Sequence, residues 1–477
     1  MTDTVNNNNQ IGGFGPEYDD QLNSRFNWNR KRKKQKLLKK RKKITVKPKS
    51  VDPYIFNIPA SEKRWSDLPT TIVHGMVRVR HEDGAAPQPT ENWSVVNCFY
   101  HALWRQVGIA INGKMFEDSS TRVYGHKAFM NILLNFKQRF KDTVLSANNA
   151  WKLDTGNSTS LTEYEDVTGE EDEEEVQTKV GNGAKETVKI FRPKRRKVIG
   201  FNSGYVDRRN GLKTGDWVEF HIPLHHDLCT TESVWPPNTR FDIVLHRSDD
   251  KFCLIQPNET IKYKIELENV HLTMYQLDAS EAVNNFHKSI PNPTTFIRRN
   301  ELKYYVAEKD KIDIGVSGIC SGQLPEQIYV TFIDQNAFYG TATTNPFNLE
   351  FMDFDEASLV VDGENFPAKP YVTGKDMGKL DAYMEFLYST GTAHMSTDSV
   401  PVSLEMWQRN CFILAFDRSP DGQNSYYAYE PDYGSIDLNL KLTRVLGKNY
   451  IVFVYASYQQ ELTQEGDEFK IVKKSGF

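Results

Sequence analysis

A disulfide-like cysteine pattern, long apolar runs and nucleotide-binding loops are all missing from this 477-residue chain. Its five cysteines, Cys98, Cys229, Cys253, Cys320 and Cys411, are scattered and odd in number, and read as reduced, small apolar residues rather than a disulfide framework. No stretch is long and apolar enough to span a bilayer, so no membrane insertion is expected. The opening MTDTVNNNNQIGGFGPEYDD has neither a charged nor an apolar leader region, and a cleaved signal peptide is not expected. There is no G-x-x-x-x-G-K-[ST] and no strand-linked G-x-G-x-x-G, which removes support for nucleotide hydrolysis and dinucleotide redox chemistry. A G-x-S-x-G elbow is lacking too, since GVSGIC at 315–320 has the wrong spacing. No catalytic residue and no cofactor are assigned, and no enzyme activity is expected.

Charge is present in quantity, but unevenly. The net charge of −4 hides a block at residues 30–49 with 13 Lys or Arg and no acid, leaving 46 basic against 63 acidic residues elsewhere. Arg30, Lys31, Arg32, Lys33, Lys34, Lys36, Lys39, Lys40, Arg41, Lys42 and Lys43 would neutralise phosphates by counterion release without reading sequence, and they equally fit a nuclear import signal. Residues 1–50 have too few apolar groups to offset ordering entropy and read as a disordered basic arm. A second anomaly is the insertion at 154–189. Its stretch 163–175 holds nine acids and no base, and reads as a projecting flexible loop. The basic run Arg192 to Lys197 just after it reads as intramolecular neutralisation or a solvated loop, with nuclear import as the alternative.

Between and beyond these segments the pattern is that of short strands. Aromatics make up 12% of the chain, and Ile261, Tyr263, Ile265 and Leu267 alternate with Lys262, Lys264 and Glu266 before the phase shifts to Val270, Leu272 and Met274, which predicts a bulge near Glu268-Asn269. Residues 125–138 carry Phe129, Ile132, Leu133 and Phe136 at helical spacing. DASEAVNNFHKS at 278–289 reads as a short helix stopped by PNP, the best internal boundary. Asn112-Gly113 and Asp362-Gly363 are tight-turn signals, one in each half. The expectation is an all-β chain with a few short helices, built as two tandem jelly-roll sandwiches, 51–278 and 279–477.

His221, His225, His226 and Cys229 in HIPLHHDLC are the metal candidate. Pro223 disfavours a continuous helix there and the spacing fits no compact zinc pattern, so these read as ordinary polar residues of a strand end and loop, with no metal assigned. The paired acids Asp353 and Asp355 read as solvated surface.

Longer segments carry a resemblance. INGKMF at 111–116, the Tyr124–Phe136 helix, AWKLDTG at 150–156, DWVEFHIPLHHDL with FDIVLHRSDDKFCL, SGQLPEQIYVTFIDQNAFYGTATTNPFNLEF from Ser321, SLVVDGENFPAKPY, CFILAFDRSPDG and GSIDLNLKL occur in order over residues 70–475. In these the chain resembles the hexon-like, double jelly-roll major capsid proteins of Polinton/Maverick elements and adintoviruses. Val123-Tyr124 and Phe416-Asp417-Arg418-Ser419 depart from the family's Pro-Tyr and Phe-Asp-Leu-Thr. The resemblance implies a homotrimer forming a pseudo-hexameric capsomer, a lattice closed into an icosahedral virion capsid around double-stranded DNA, penton-type vertex and minor capsid proteins as partners, and assembly in the host nucleus. The basic arm would face genomic DNA or a neighbouring subunit. Two other classes fit the residues: a domesticated β-sandwich protein binding nucleic acid or glycans, and a hydrolase sited in the HIPLHH region.

Overall fold

The structure is a computed structural model. It describes residues 38–116, 123–145, 151–154, 162–165, 172–179, 185–192, 197–231, 233–257, 261–374, 378–395, 400–419 and 432–471, with only the backbone at 38–39, 162–201 and 394–395.

Two sandwiches with one strand order follow each other along the chain. In the first, one sheet runs Leu38–Val46, Tyr263–Ala279, Arg64–His81, Val218–Pro223, and it faces a sheet ordered Ser50–Val51, Tyr54–Ile58, Phe241–Arg247, Trp104–Ile111, Lys114–Met115. In the second, Thr294–Ala307, Tyr450–Glu465, Gln327–Asp334 and Leu414–Asp417 oppose Asp313–Gln323, Tyr433–Leu442, Phe354–Val361 and Glu364–Tyr371. Each four-stranded path thus reads first strand, last strand, third strand, next but one to last, which is the order of a jelly roll. All the paired strands are antiparallel in their registers, so one face of each sheet is free to be apolar.

That face is visible in the side chains. Ile436, Leu438, Leu440 and Leu442 are buried while Asn439 and Lys441 between them are exposed. Phe56, Val77, Ile109, Ile243 and Leu272 fill the first sandwich, and Val330, Phe332, Leu359, Leu438 and Val452 the second. Each such fully buried side chain contributes roughly 1.5–3 kcal/mol. The bulge sits where the phase shift puts it: the register jumps between Glu268 and His271, with Asn269 at φ 54°. Both tight turns also form, Asn112 and Gly113 at φ 50° and 83°, Asp362 and Gly363 at 49° and 91°, the left-handed pair that a two-residue hairpin requires. They occupy the same slot in the two sandwiches.

Both expected helices form, as Tyr124–Asn135 and Glu281–Ser289, and others that the sequence reading does not pick out join them, Ser203–Asn210, Lys379–Ser389 and Leu404–Arg409 among them. The second expected helix is capped by Ser280, whose Oγ accepts from the Val283 N–H. It lies on the first sandwich, where Trp65 Nε1 donates to Asn284 Oδ1 at 2.8 Å and Val283 packs with Trp65.

Two expectations are corrected. The disordered arm does not extend to residue 50: Leu38–Val46 pairs with Tyr263–Ala279 in a register from Leu38 opposite Ala279 to Val46 opposite Leu272, and is the first strand of the first jelly roll. Ile44 and Val46 pack against the core, which outweighs the neighbouring lysines because those reach water from an edge. The acidic insertion is not a plain loop either. Asp172–Lys179 pairs with Lys185–Arg192, and Thr162–Glu165 with Lys197–Phe201, so that Asp172 stands opposite Arg192 and Glu165 opposite Lys197.

Candidate assembly surfaces

The residues that could act together lie at three places: the junction of the two halves, the basic edge strand, and the outer face of the sheet it belongs to.

At the junction the helix Tyr124–Asn135 delivers side chains of the first half onto the second. Phe129 and Phe347 have ring centroids 5.0 Å apart, and the His126 ring lies 5.2 to 5.3 Å from Phe338, Phe347 and Phe453. The Asn345-Pro346-Phe347 loop therefore anchors its aromatic against the other half. His126 Nε2 donates to the Pro346 carbonyl at 3.2 Å, and complete burial lowers its pKa to about 4, so the ring is neutral at pH 7. Two buried ion pairs flank this contact. Lys127 Nζ lies 2.8 Å from Asp227 Oδ1, which also accepts from the Asn300 N–H of the second half. Arg208 meets Asp154 at 2.8 Å, and Asp154 in turn takes Asn345 Nδ2 on its carboxylate and Asn410 Nδ2 on its carbonyl. A charge buried with this many donors fixes the relative placement of two surfaces rather than adding much stability.

The basic edge is only part of the predicted arm. Arg30, Lys31, Arg32, Lys33, Lys34 and Lys36 lie outside the described residues, and Lys39 is described by its backbone alone. Lys40, Arg41, Lys42 and Lys43 are exposed on the strand, with the Arg41 guanidinium 3.5 Å from the Tyr275 ring centroid. Lysines on an unpaired edge also block uncontrolled strand addition. The signal for this strand was the β-branched run Ile44-Thr45-Val46 at the tail of the block.

The HIPLHH residues do not converge. His225 and His226 are buried, His225 Nδ1 bonding Asn131 Nδ2 at 2.9 Å and His226 Nδ1 accepting from Leu228 N–H to cap a short helix. Cys229 is buried and in no disulfide, whereas His221 lies on the sheet's exposed face. Among the described residues no group of three His, Cys, Asp or Glu is placed to hold a metal ion, and no helix is long and apolar enough to cross a membrane. His74 and His271, which complete a row with His221, have no motif to mark them.

No family model matches the chain. The uncharacterized protein F54H12.2 of Caenorhabditis elegans is 20% identical over 210 residues, 42% of this chain and 49% of that protein, so the chain spans about half the length of this curated relative. Solved structures match over nearly the whole length. A chain of the Sputnik virophage aligns with a TM-score of 0.55 at 9% identity, covering 99% of this chain and 95% of that one. The Faustovirus major capsid protein gives 0.53 at 10% identity, with 88% and 90% covered. A chain of the PBCV-1 virus capsid gives 0.54 at 9% identity, with 92% and 98% covered. The fold is the double jelly roll of viral major capsid proteins. At these identities the likeness is one of fold, carried by the strand order rather than by shared residues.

Proposed function

We propose that this chain is a major capsid protein of the Polinton/Maverick and adintovirus kind, a structural and non-enzymatic subunit that trimerises into pseudo-hexameric capsomers. The observation that carries the reading is the repetition of one jelly roll twice in tandem, since three such chains about a three-fold axis present six near-equivalent sandwiches. Capsomers of this shape tile an icosahedral shell around double-stranded DNA, with a penton-type vertex protein and minor capsid proteins completing it. The basic residues 30–43 contact genomic DNA and serve import into the host nucleus, where assembly takes place.

Light scattering on the purified full-length chain tests the first step. The expected mass is about 165 kDa, three chains of 54.9 kDa. A monomer at every concentration, alone or with partner proteins, would instead favour the domesticated nucleic-acid-binding reading. The arm has its own test, with the deletion set by the edge strand. Removing residues 1–37 takes away Arg30, Lys31, Arg32, Lys33, Lys34 and Lys36 but keeps Leu38–Val46. The trimer is expected to persist, while the slope of log affinity for duplex DNA against log salt becomes shallower by up to about 5, at about 0.9 per phosphate released. An unchanged slope would take DNA away from the arm.

A further inference from the structure

The two halves repeat the same sheet, yet its outer face is treated differently in each. In the second half, outer-face residues Leu302, Phe453 and Tyr455 are 3% exposed or less, and the first half covers them through His126 and the Asp227 contact to Asn300. In the first half the corresponding face stays open. His221, Glu219, Glu268 and Lys43 are exposed there, and Met76, Arg78, His271 and Tyr275 half-buried.

The centre of that open face is a row of three histidines, one from each of three adjacent strands. His221 and His271 both stand opposite His74 in the register. The His74 ring lies 4.3 Å from His221, edge-on, and 4.9 Å from His271, stacked, and its Nε2 is 2.6 Å from Thr273 Oγ1. Every charged neighbour is accounted for by strand: Lys43 and Arg41 on the edge strand, Glu268 and Glu266 beside His271, Glu219 beside His221, Arg78 beyond Met76. Burial, then His221, His271 and Lys43, lower the His74 pKa to about 4.

We propose that this face, centred on His221, His74 and His271, is the seat for the second half of a neighbouring copy of the chain, which meets it through the helix Lys379–Ser389. The inference rests on the trimer reading and says which surfaces close it. A heterologous contact that closes after three copies needs each first-half face to meet a second half, as each second-half face already meets a first half within the chain. The helix follows from the same repeat. In the first half, the helix between the hairpin and the Val218–Pro223 strand turns its second, third and sixth residues, Gly125, His126 and Phe129, toward the other half. In the second half that slot holds Lys379–Ser389, whose second and third residues are Leu380, 57% exposed, and the exposed Asp381. Met384 is its sixth residue and Glu385 follows. Leu380 offers an apolar contact for Met76 and the imidazoles, and Asp381 and Glu385 can reach Lys43 and Arg41 only by lying away from Glu219, Glu266 and Glu268, so it is the repeat of the slot rather than net charge that places the helix here.

The test is light scattering on the full chain carrying His221→Glu or Leu380→Glu, both on exposed positions, with circular dichroism and thermal melting to show that each is folded. Each is expected to fall from about 165 kDa to the 54.9 kDa monomer at micromolar concentration. If a glutamate at 380 disturbs folding, Leu380→Ser serves the same comparison. A folded variant of either site that remains trimeric overturns the proposal and leaves the trimer reading standing. A wild-type chain that is itself monomeric overturns both.

Discussion

Lys127→Met is expected to destabilise the chain by about 3–5 kcal/mol, measured as a lower urea midpoint at fixed protomer concentration. The side chains of Lys127 and Asp227 are each 1% exposed, so the substitution leaves a carboxylate in an apolar junction with its main counter-charge gone. Protonation of Asp227 would relieve the penalty only in part. The double variant Lys127→Met with Asp227→Leu should recover most of the loss, because it removes the desolvation cost of both ions together. It should still fall short of the native chain by about 1 kcal/mol, since the Asn300 N–H loses its acceptor. If the single variant lies within 1 kcal/mol of the native chain, the pair does not hold the halves together. Because the same pair joins the helix Tyr124–Asn135 to the edge strand Thr294–Ala307, the single variant should also loosen the orientation of the two sandwiches on which a pseudo-hexagonal outline depends.

Much of this fold is legible in the sequence because its strands are half-buried and alternate, and because turn chemistry marks the same slot twice, at Asn112-Gly113 and Asp362-Gly363. The strand order is less legible. Leu38–Val46 finds its partner more than two hundred residues away, and nothing local in a lysine-rich block announces that pairing. Charge dominated the reading there, although Ile44 and Val46 decide the outcome. The acidic insertion misleads for the same reason: a segment of nine acids looks unpackable, yet four of them, Asp172 to Glu175, lie on a strand paired with Lys185–Arg192. The histidine row was invisible for a different cause. His74, His221 and His271 are far apart in sequence, and it is the bulge at Glu268 to Asn269 that sets His271 opposite His74. A bulge can be predicted from a phase shift, but which side chain it aims at which neighbour depends on the whole sheet.

Acidification from pH 7 to pH 5 is expected to cost the folded chain about 4 kcal/mol through the buried histidines His126 and His225, with buried His101 adding in the same direction. Burial holds His126 at about 4 and His225 at about 3, and puts His101 well below the ordinary 6.5, with the His225 ring adding to the effect on His101. Each is neutral in the folded chain and has a higher affinity for a proton once unfolded. Below pH 6.5 the unfolded state therefore binds more protons, and stability that is fully present above that pH is lost as pH falls, at up to about 1.4 kcal/mol per pH unit for each ring. At pH 5 this amounts to about 2 kcal/mol for each of His126 and His225, a sum that is a large share of the stability of an ordinary domain. Among the carboxylates, Glu91 and Glu266 are lowered from 4.5 and add to the loss only at lower pH, whereas Asp250, raised from 3.8 chiefly by burial, acts in the opposite sense. Urea titrations at pH 7, 6 and 5 measure the slope directly. His126→Phe should be less stable at pH 7, by about 1–3 kcal/mol for the Pro346 carbonyl left without its donor, yet lose about 2 kcal/mol less on going to pH 5. A stability that is flat between pH 7 and 5 would mean that these rings find proton acceptors inside the fold, and would remove acid as a trigger for opening the junction between the two jelly rolls.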